Sequence, residues 1–163
     1  AFRAMRDLKS AYAFLQGRAG VKKDRVGSIG WCMGGRYSLA LATEEPTLAA
    51  AVVYYGAPPT DQFAIGRIKA PVLGSFGAED KGPSPDQVRL FEDLMKKAGK
   101  PVDVKIYPGA GHAFANVNNP WGGYRKEAAE DAWSRTTAFL ARHLKAEVEK
   151  WAPIIKKAGI YAD

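Results

Sequence analysis

The segment at residues 49–55 is apolar without interruption and that at 71–76 is apolar but for Ser75, and this limits the architecture more than any other feature of the chain. A strand with one wet face alternates polar and apolar residues, whereas a strand covered on both faces does not. Residues 26–30 and 102–107 add two more strand-like runs. Segments of helical period separate all four, so the chain reads as strand, helix, strand in repeated order. That order implies right-handed crossovers and a mostly parallel sheet with helices on both faces, an α/β three-layer sandwich of about four strands. At 163 residues, with no internal repeat or low-complexity stretch, residues 1–163 read as a single domain.

The helices have their own signals. Met5, Leu8, Tyr12 and Leu15 recur at helical spacing, which predicts an amphipathic helix over about the first 18 residues, ended near Gly17 and Gly20. Tyr37 to Ala42 reads as a buried helix stopped by Pro46. Ser84, Pro85 and Gln87 supply an N-cap, a proline in the first turn and a capping-box partner, with Val88, Phe91, Leu94, Met95 and Ala98 facing inward and Gly99 closing the helix. A polar loop at residues 112–123 leads into a long helix over 124–148, lined by Ala129, Trp133, Thr136, Leu140 and Leu144.

Composition narrows the function. Apolar residues make up 47% and charged residues 25%, a globular mixture, and no run approaches the roughly 18 apolar residues that span a bilayer. The first residues also lack the apolar run of a secretory signal, so a cytoplasmic protein is expected. A net charge of +7 raises nucleic acid as a partner. The basic pairs Lys22-Lys23, Lys96-Lys97 and Lys156-Lys157 are scattered, with no binding motif or interleaved aromatics, and read as solvated helix faces. One cysteine and two histidines can build neither an internal disulfide nor a Cys/His zinc cluster, so no metal is expected.

Chemistry in an open parallel sheet sits at the carboxyl ends of its strands. Cys32, Asp80 and His112 each follow a strand, in the chain order nucleophile, acid, histidine, and Cys32 lies in a G-x-C-x-G turn. A nucleophile on a strand-to-helix turn is strained, and Gly30 and Gly34 are expected to relieve crowding around it. The turn also sets Cys32 at the positive end of the following helix, which favours a thiolate. Taken singly, Cys32 reads as a small buried hydrophobe, Asp80 as a turn residue and His112 as loop filler. Together, at three strand ends, they read as a triad. Glu79 is the rival acid, and His143 reads as structural. Gly30 to Gly35 lacks the lysine and hydroxyl of a phosphate-binding loop.

Gly30-Trp31-Cys32-Met33-Gly34-Gly35, Tyr54-Tyr55-Gly56, Gly77 with Asp80, and Gly109-Ala110-Gly111-His112-Ala113-Phe114 together resemble the dienelactone hydrolase (carboxymethylenebutenolidase) family of α/β-hydrolases. The resemblance runs to about Leu144. It implies a partial α/β-hydrolase fold and a cofactor-free hydrolase of lactones or small carboxylic esters. Cys32 would be its nucleophile, His112 its general base and acid, and Asp80 the carboxylate that orients the imidazole. The backbone N–H of Met33 would hold the oxyanion. Trp31, Tyr55, Phe114, Asn116 and Trp121 are candidates for the substrate pocket, each with plain packing as the alternative reading.

Two departures from the family matter. The family's cation four positions after the histidine is Asn116 here, which suggests a substrate without the matching carboxylate unless Arg36 or Arg125 substitutes. The strands that precede the nucleophile strand in the family are also missing, and with them a second oxyanion donor, further substrate contacts and a glutamate. Loss of one oxyanion donor typically costs roughly 100- to 1000-fold in turnover. The strand at 26–30 would become an apolar edge, so a homodimer or association with a separate N-terminal piece is expected. A chain that starts inside a helix without methionine suits a truncated gene, a processed product or a partial chain. The apolar tail from Lys150 onward is expected to pack on the core or a partner. The alternative function is a truncated, hydrolase-like module that folds as an oligomer or with a partner and is inactive alone.

Overall fold

A computed structural model describes residues 2–119 and 122–144. The expectations for Trp121 and the tail lie outside them. The first helix is α1 (Phe2–Gln16), and the first strand is β1 (Gly27–Trp31). Then come α2 (Met33–Glu44), β2 (Ala50–Tyr54), α3 (Gln62–Arg67), β3 (Val72–Gly77), α4 (Pro85–Lys97), β4 (Val102–Tyr107) and α5 (Lys126–Leu144). The four strands form one parallel sheet in the order β1-β2-β3-β4. Every strand therefore ends on the same side, which gathers the loops after β1, β3 and β4 at one rim.

These apolar runs become the two central strands, and all residues of β2 and β3 are buried. Alternate side chains separate into two cores. Ala51, Val53, Val72 and Phe76 join Tyr12, Leu39, Ile65, Val88, Phe91 and Met95 beneath α1 to α4. Ala50, Val52, Tyr54 and Leu73 pack with Ala132 and Phe139 of α5 on the opposite face. Full burial of side chains such as Phe91, Met95 and Leu73 contributes about 1.5–3 kcal/mol each relative to exposure.

The local signals at α4 hold in detail. Gln87 N–H donates to Ser84 Oγ at 3.3 Å, and Ser84 N–H donates to Gln87 Oε1 at 3.0 Å. Ala98 is exposed, because the helix ends at Lys97 and the chain reverses there. Leu15 is also exposed, since α1 inserts only Tyr12, with Met5 and Leu8 partly buried beside it. The inward line of α5 keeps Thr136, with Leu140 and Leu144 packed partly buried against the core as expected, but elsewhere is rotated by one residue. Ala132, Thr136 and Phe139 are buried, while Ala129 and Trp133 are half-buried. The small side chain of Ala132 lets the helix lie close to the sheet, and Thr136 shares a 2.8 Å hydrogen bond with Tyr54 across the interface. Helix α3 carried no periodic signal at six residues; it is capped by Asp61, which accepts from Ala64 N–H at 2.8 Å.

Beyond α5's apolar contacts, polar groups tie it to β4. Asp131 accepts from Tyr107 Oη at 2.7 Å and from Lys105 Nζ at 2.8 Å, and Arg135 pairs with Asp103 at 2.7 Å. The Lys105 bond, and after it the Tyr107 bond, hold the Asp131 carboxyl below its ordinary range. Burial, helped by the Asp131 bond, pushes the Tyr107 hydroxyl up to about 12. Strand β1 pairs only with β2 among the described residues, and Ile29 and Trp31 on it are 37% and 40% exposed. No helix among the described residues is long and apolar enough to cross a membrane.

Candidate active site

The turn after β1 is built by backbone crowding. Cys32 has φ 53° and ψ −119°, a left-handed conformation costly for a residue with a Cβ. It is held by its N–H to Tyr54 O at 2.9 Å and by its carbonyl, which accepts from Arg36 N–H at 3.2 Å. A Cβ on Gly30 would stand 2.1 Å from Gly34 O, so only glycine fits under this turn. Gly34 differs from the expectation. Its own Cβ position faces open space, and it supplies the crowding carbonyl instead of needing relief. Cys32 and the Met33 side chain are exposed, and Met33 opens α2 with an N–H that has no carbonyl one turn behind it.

Asp80 and His112 reach the same point from the ends of β3 and β4. Nδ1 of His112 lies 2.9 Å from Asp80 Oδ2, and its Nε2 lies 3.1 Å from Cys32 Sγ. Since an ionised carboxylate only accepts, Nδ1–H donates to Asp80, which leaves Nε2 as the acceptor facing the thiol. Asp80's other oxygen accepts from Gly82 N–H at 2.9 Å, and its side chain is 2% exposed against 33% for His112. Glu79 is exposed, so between these neighbours Asp80 is the carboxylate that meets the imidazole. His143, the other histidine, packs its ring on Phe139 with centroids 4.5 Å apart near the end of α5.

The candidate lining residues separate on inspection. Phe114 is fully buried between Tyr55 and Tyr107, which favours the packing reading. Tyr55 is 3% exposed and sets its ring edge against the imidazole with centroids 5.3 Å apart. It supports the histidine more than it lines an open pocket, and burial raises the pKa of its hydroxyl. Trp31 stacks on Tyr54 at 5.4 Å yet stays accessible beside Cys32. Asn116 is exposed, with its side chain accepting from Asn118 N–H at 3.0 Å within a turn.

Arg125 is engaged elsewhere: its guanidinium donates to the carbonyls of Gly109, Gly122 and Tyr124 at 2.9, 3.1 and 3.0 Å. It is therefore a poor candidate to receive a substrate carboxylate. Arg36 edges a groove of about 760 Å³ that runs along α2 between α1 and the Ala57–Ala64 side of the following loop. Asn119, which the sequence did not single out, donates its side-chain amide to the carbonyls of His112 and Ala113. No local pattern marks such a contact. Among the described residues, no group of three or more His, Cys, Asp or Glu is placed to hold a metal ion.

A parallel α/β sheet carrying a thiol, an imidazole and a carboxylate in hydrogen-bonded series at its carboxyl rim is an arrangement of the α/β-hydrolase class. Residues 2–144 match the model of the dienelactone hydrolase family, and the chain belongs to that family. A Saccharolobus solfataricus protein whose name proposes a carboxymethylenebutenolidase is 42% identical over 138 residues, covering 85% of this chain and 51% of that protein. One of the same name from Methylorubrum extorquens is 35% identical, with 85% and 50% covered. A Klebsiella pneumoniae crystal structure described as a proposed dienelactone hydrolase superposes with a TM-score of 0.74 at 30% identity, covering 84% of this chain and 60% of that one. The chain thus spans about half the length of the curated relatives it matches.

Proposed function

We propose that this chain carries the nucleophile, base and acid of a cysteine-dependent hydrolase that cleaves lactones or small carboxylic esters. The observation that carries the reading is the unbroken series Cys32 Sγ, His112 Nε2, His112 Nδ1, Asp80 Oδ2, with gaps of 3.1 and 2.9 Å across the two hydrogen bonds. His112 takes the thiol proton, and the thiolate attacks the acyl carbonyl. The tetrahedral oxyanion is met by Met33 N–H at the start of α2, where the helix dipole also favours negative charge. Collapse of that intermediate breaks the C–O bond as imidazolium protonates the leaving oxygen, giving an acyl thioester. In a lactone the alcohol remains attached to the acyl chain. Water, deprotonated by His112, then attacks the thioester, and the acid leaves as the thiol is restored. Asp80 holds the ring in the required tautomer throughout. These roles are filled by side chains and backbone, so the scheme draws on no cofactor.

With Asn116 uncharged and Arg125 bound to carbonyls, Arg36 at the edge of the groove along α2 is the remaining candidate cation for a substrate carboxylate. Trp31, next to Cys32 in the chain and 40% exposed, is a candidate to meet the acyl group. A relative in Bradyrhizobium whose name proposes a lactonase for 2-oxo-3-(5-oxofuran-2-ylidene)propanoate is 31% identical and accords with a lactone as substrate, one that itself bears a carboxylate. The reading includes one domain over residues 1–163, a cytoplasmic setting that keeps the lone thiol reduced, and no nucleic-acid partner.

The open β1 edge favours a second reading of the isolated chain. With β1 paired on one side only among the described residues, and about half the relatives' length unmatched, the chain folds as an oligomer or with a partner and is inactive alone. Turnover of a neutral chromogenic ester and a small lactone by wild type and Cys32→Ser tests the function. Wild-type turnover that falls by at least about 100-fold in the variant supports it, since a hydroxyl is a far poorer nucleophile at neutral pH. Equal turnover in the two removes Cys32 from the mechanism.

A further inference from the structure

The loop that bears His112 has little regular structure of its own, yet its imidazole must meet two partners at once. Its backbone is held by the segment that follows. Asn119 Nδ2 donates to the carbonyls of His112 and Ala113, each at 3.3 Å. These consecutive carbonyls converge on one donor because Ala113 has φ 57°, a left-handed turn that an alanine adopts only when its surroundings enforce it. Arg125 takes the two ends of the same stretch, with its Nε on Gly109 O and its backbone N–H on Phe114 O, both at 2.9 Å.

Asn119 is itself held, at its backbone and beside its side-chain amide. The residue is 9% exposed, its N–H donates to Asn116 O at 3.0 Å, and its carbonyl accepts from Gly122 N–H at 3.1 Å. Gly123 packs directly on the amide, and a Cβ there would stand 2.5 Å from Nδ2. A buried residue whose backbone is held on both sides, and whose side-chain amide donates to the carbonyl of the histidine itself, is placed to set where the imidazole points.

We propose that Asn119 is the positioning residue for His112. By tying the His112 and Ala113 carbonyls together it holds the strained Ala113 turn, and so keeps Nε2 on Cys32 and Nδ1 on Asp80. The inference rests on the hydrolase reading above. It touches neither substrate nor the reacting atoms.

The test reads the imidazole–thiol pair without needing turnover. The rate of Cys32 alkylation by iodoacetamide is followed from about pH 5 to about pH 9 in wild type, His112→Ala, Asn119→Ala, Gly123→Ala and Asn118→Ala. Circular dichroism and thermal melts run alongside. Gly123→Ala displaces the amide by crowding instead of deleting it, so it tests the same contact if Asn119→Ala does not fold. Asn118 is an exposed neighbour and serves as the control.

Alkylation is expected to be faster in wild type than in His112→Ala, because Nε2 faces the thiol at 3.1 Å. Asn119→Ala and Gly123→Ala should shift toward the His112→Ala profile, with the rate near pH 6 falling about 10- to 100-fold at native-like ellipticity, as misplacement of a reacting group by about 1 Å does. Asn118→Ala should follow wild type. A wild-type profile retained by folded Asn119→Ala or Gly123→Ala overturns the positioning role and leaves the hydrolase reading standing. A wild-type profile already equal to that of His112→Ala overturns both, since no coupled pair would exist to position.

Discussion

At Gly77 the backbone of β3 approaches the loop before His112 so closely that a Cβ would stand 2.3 Å from Ala110 O and 2.7 Å from Gly111 O. Glu79 N–H donates to the same Ala110 carbonyl at 2.9 Å. The segment carrying Asp80 and the segment carrying His112 are therefore joined through backbone, and the 2.9 Å contact between their side chains is set by that junction. Gly77→Ala should force the two loops apart and lower unfolding free energy by about 1–3 kcal/mol or more, the range for overpacking where backbone must yield. Urea titration measures it. Wild-type stability in the variant would mean the junction is soft.

Gly30 and Gly34, one on each side of Cys32, should respond in opposite ways. Gly30→Ala would set a methyl 2.1 Å from Gly34 O and should prevent the turn from forming. Gly34→Ala meets open space inside α2 and should stabilise the fold by up to about 1 kcal/mol through helix propensity. Expression with thermal melts of the two variants checks the contrast.

His143 gives the fold a dependence on pH. Burial, and after it the charge of Arg142, lower its pKa below the ordinary 6.5. The unfolded chain then takes up a proton more readily than the folded one, so stability should decline as pH falls from about 6.5 toward the folded value and change little from this group above it. Urea midpoints over that interval should fall less steeply in His143→Gln than in wild type. Parallel profiles would assign the dependence to other groups.

The edge strand predicts association. Ile29 and Trp31 are exposed on a strand that, among the described residues, pairs only with β2 and carries no charged residue or proline. Sedimentation should show a concentration-dependent dimer for the chain alone, and Ile29→Lys should shift it to monomer. A wild-type monomer at every concentration would mean that the edge is left open or is covered by a different segment.

Much of this fold is legible in the residues because its signals are local. Ser84, Pro85 and Gln87 mark the start of α4 within four positions, and the apolar runs of β2 and β3 state that both sheet faces are covered. The rotation of α5 is less legible, because it depends on Ala132 meeting the sheet and on Tyr54 reaching Thr136 across 82 positions. For Phe114 the choice between pocket and packing is not legible for a related reason. Adjacency to His112 suggests a shared surface, but the left-handed turn at Ala113 sends the next side chain into the core. The meeting of Cys32, Asp80 and His112 could be anticipated from strand ends and chain order, whereas the grip of Asn119 on two carbonyls has no counterpart in any sequence pattern.

The central claim is that the thiol beside His112 is an activated nucleophile. Intact-mass spectrometry of the chain with a slowly hydrolysed activated ester tests it most directly, in wild type, Cys32→Ala and His112→Ala. The account predicts one acyl adduct on wild type and none on either variant. An adduct that persists undiminished without His112, or no adduct on wild type, would contradict it.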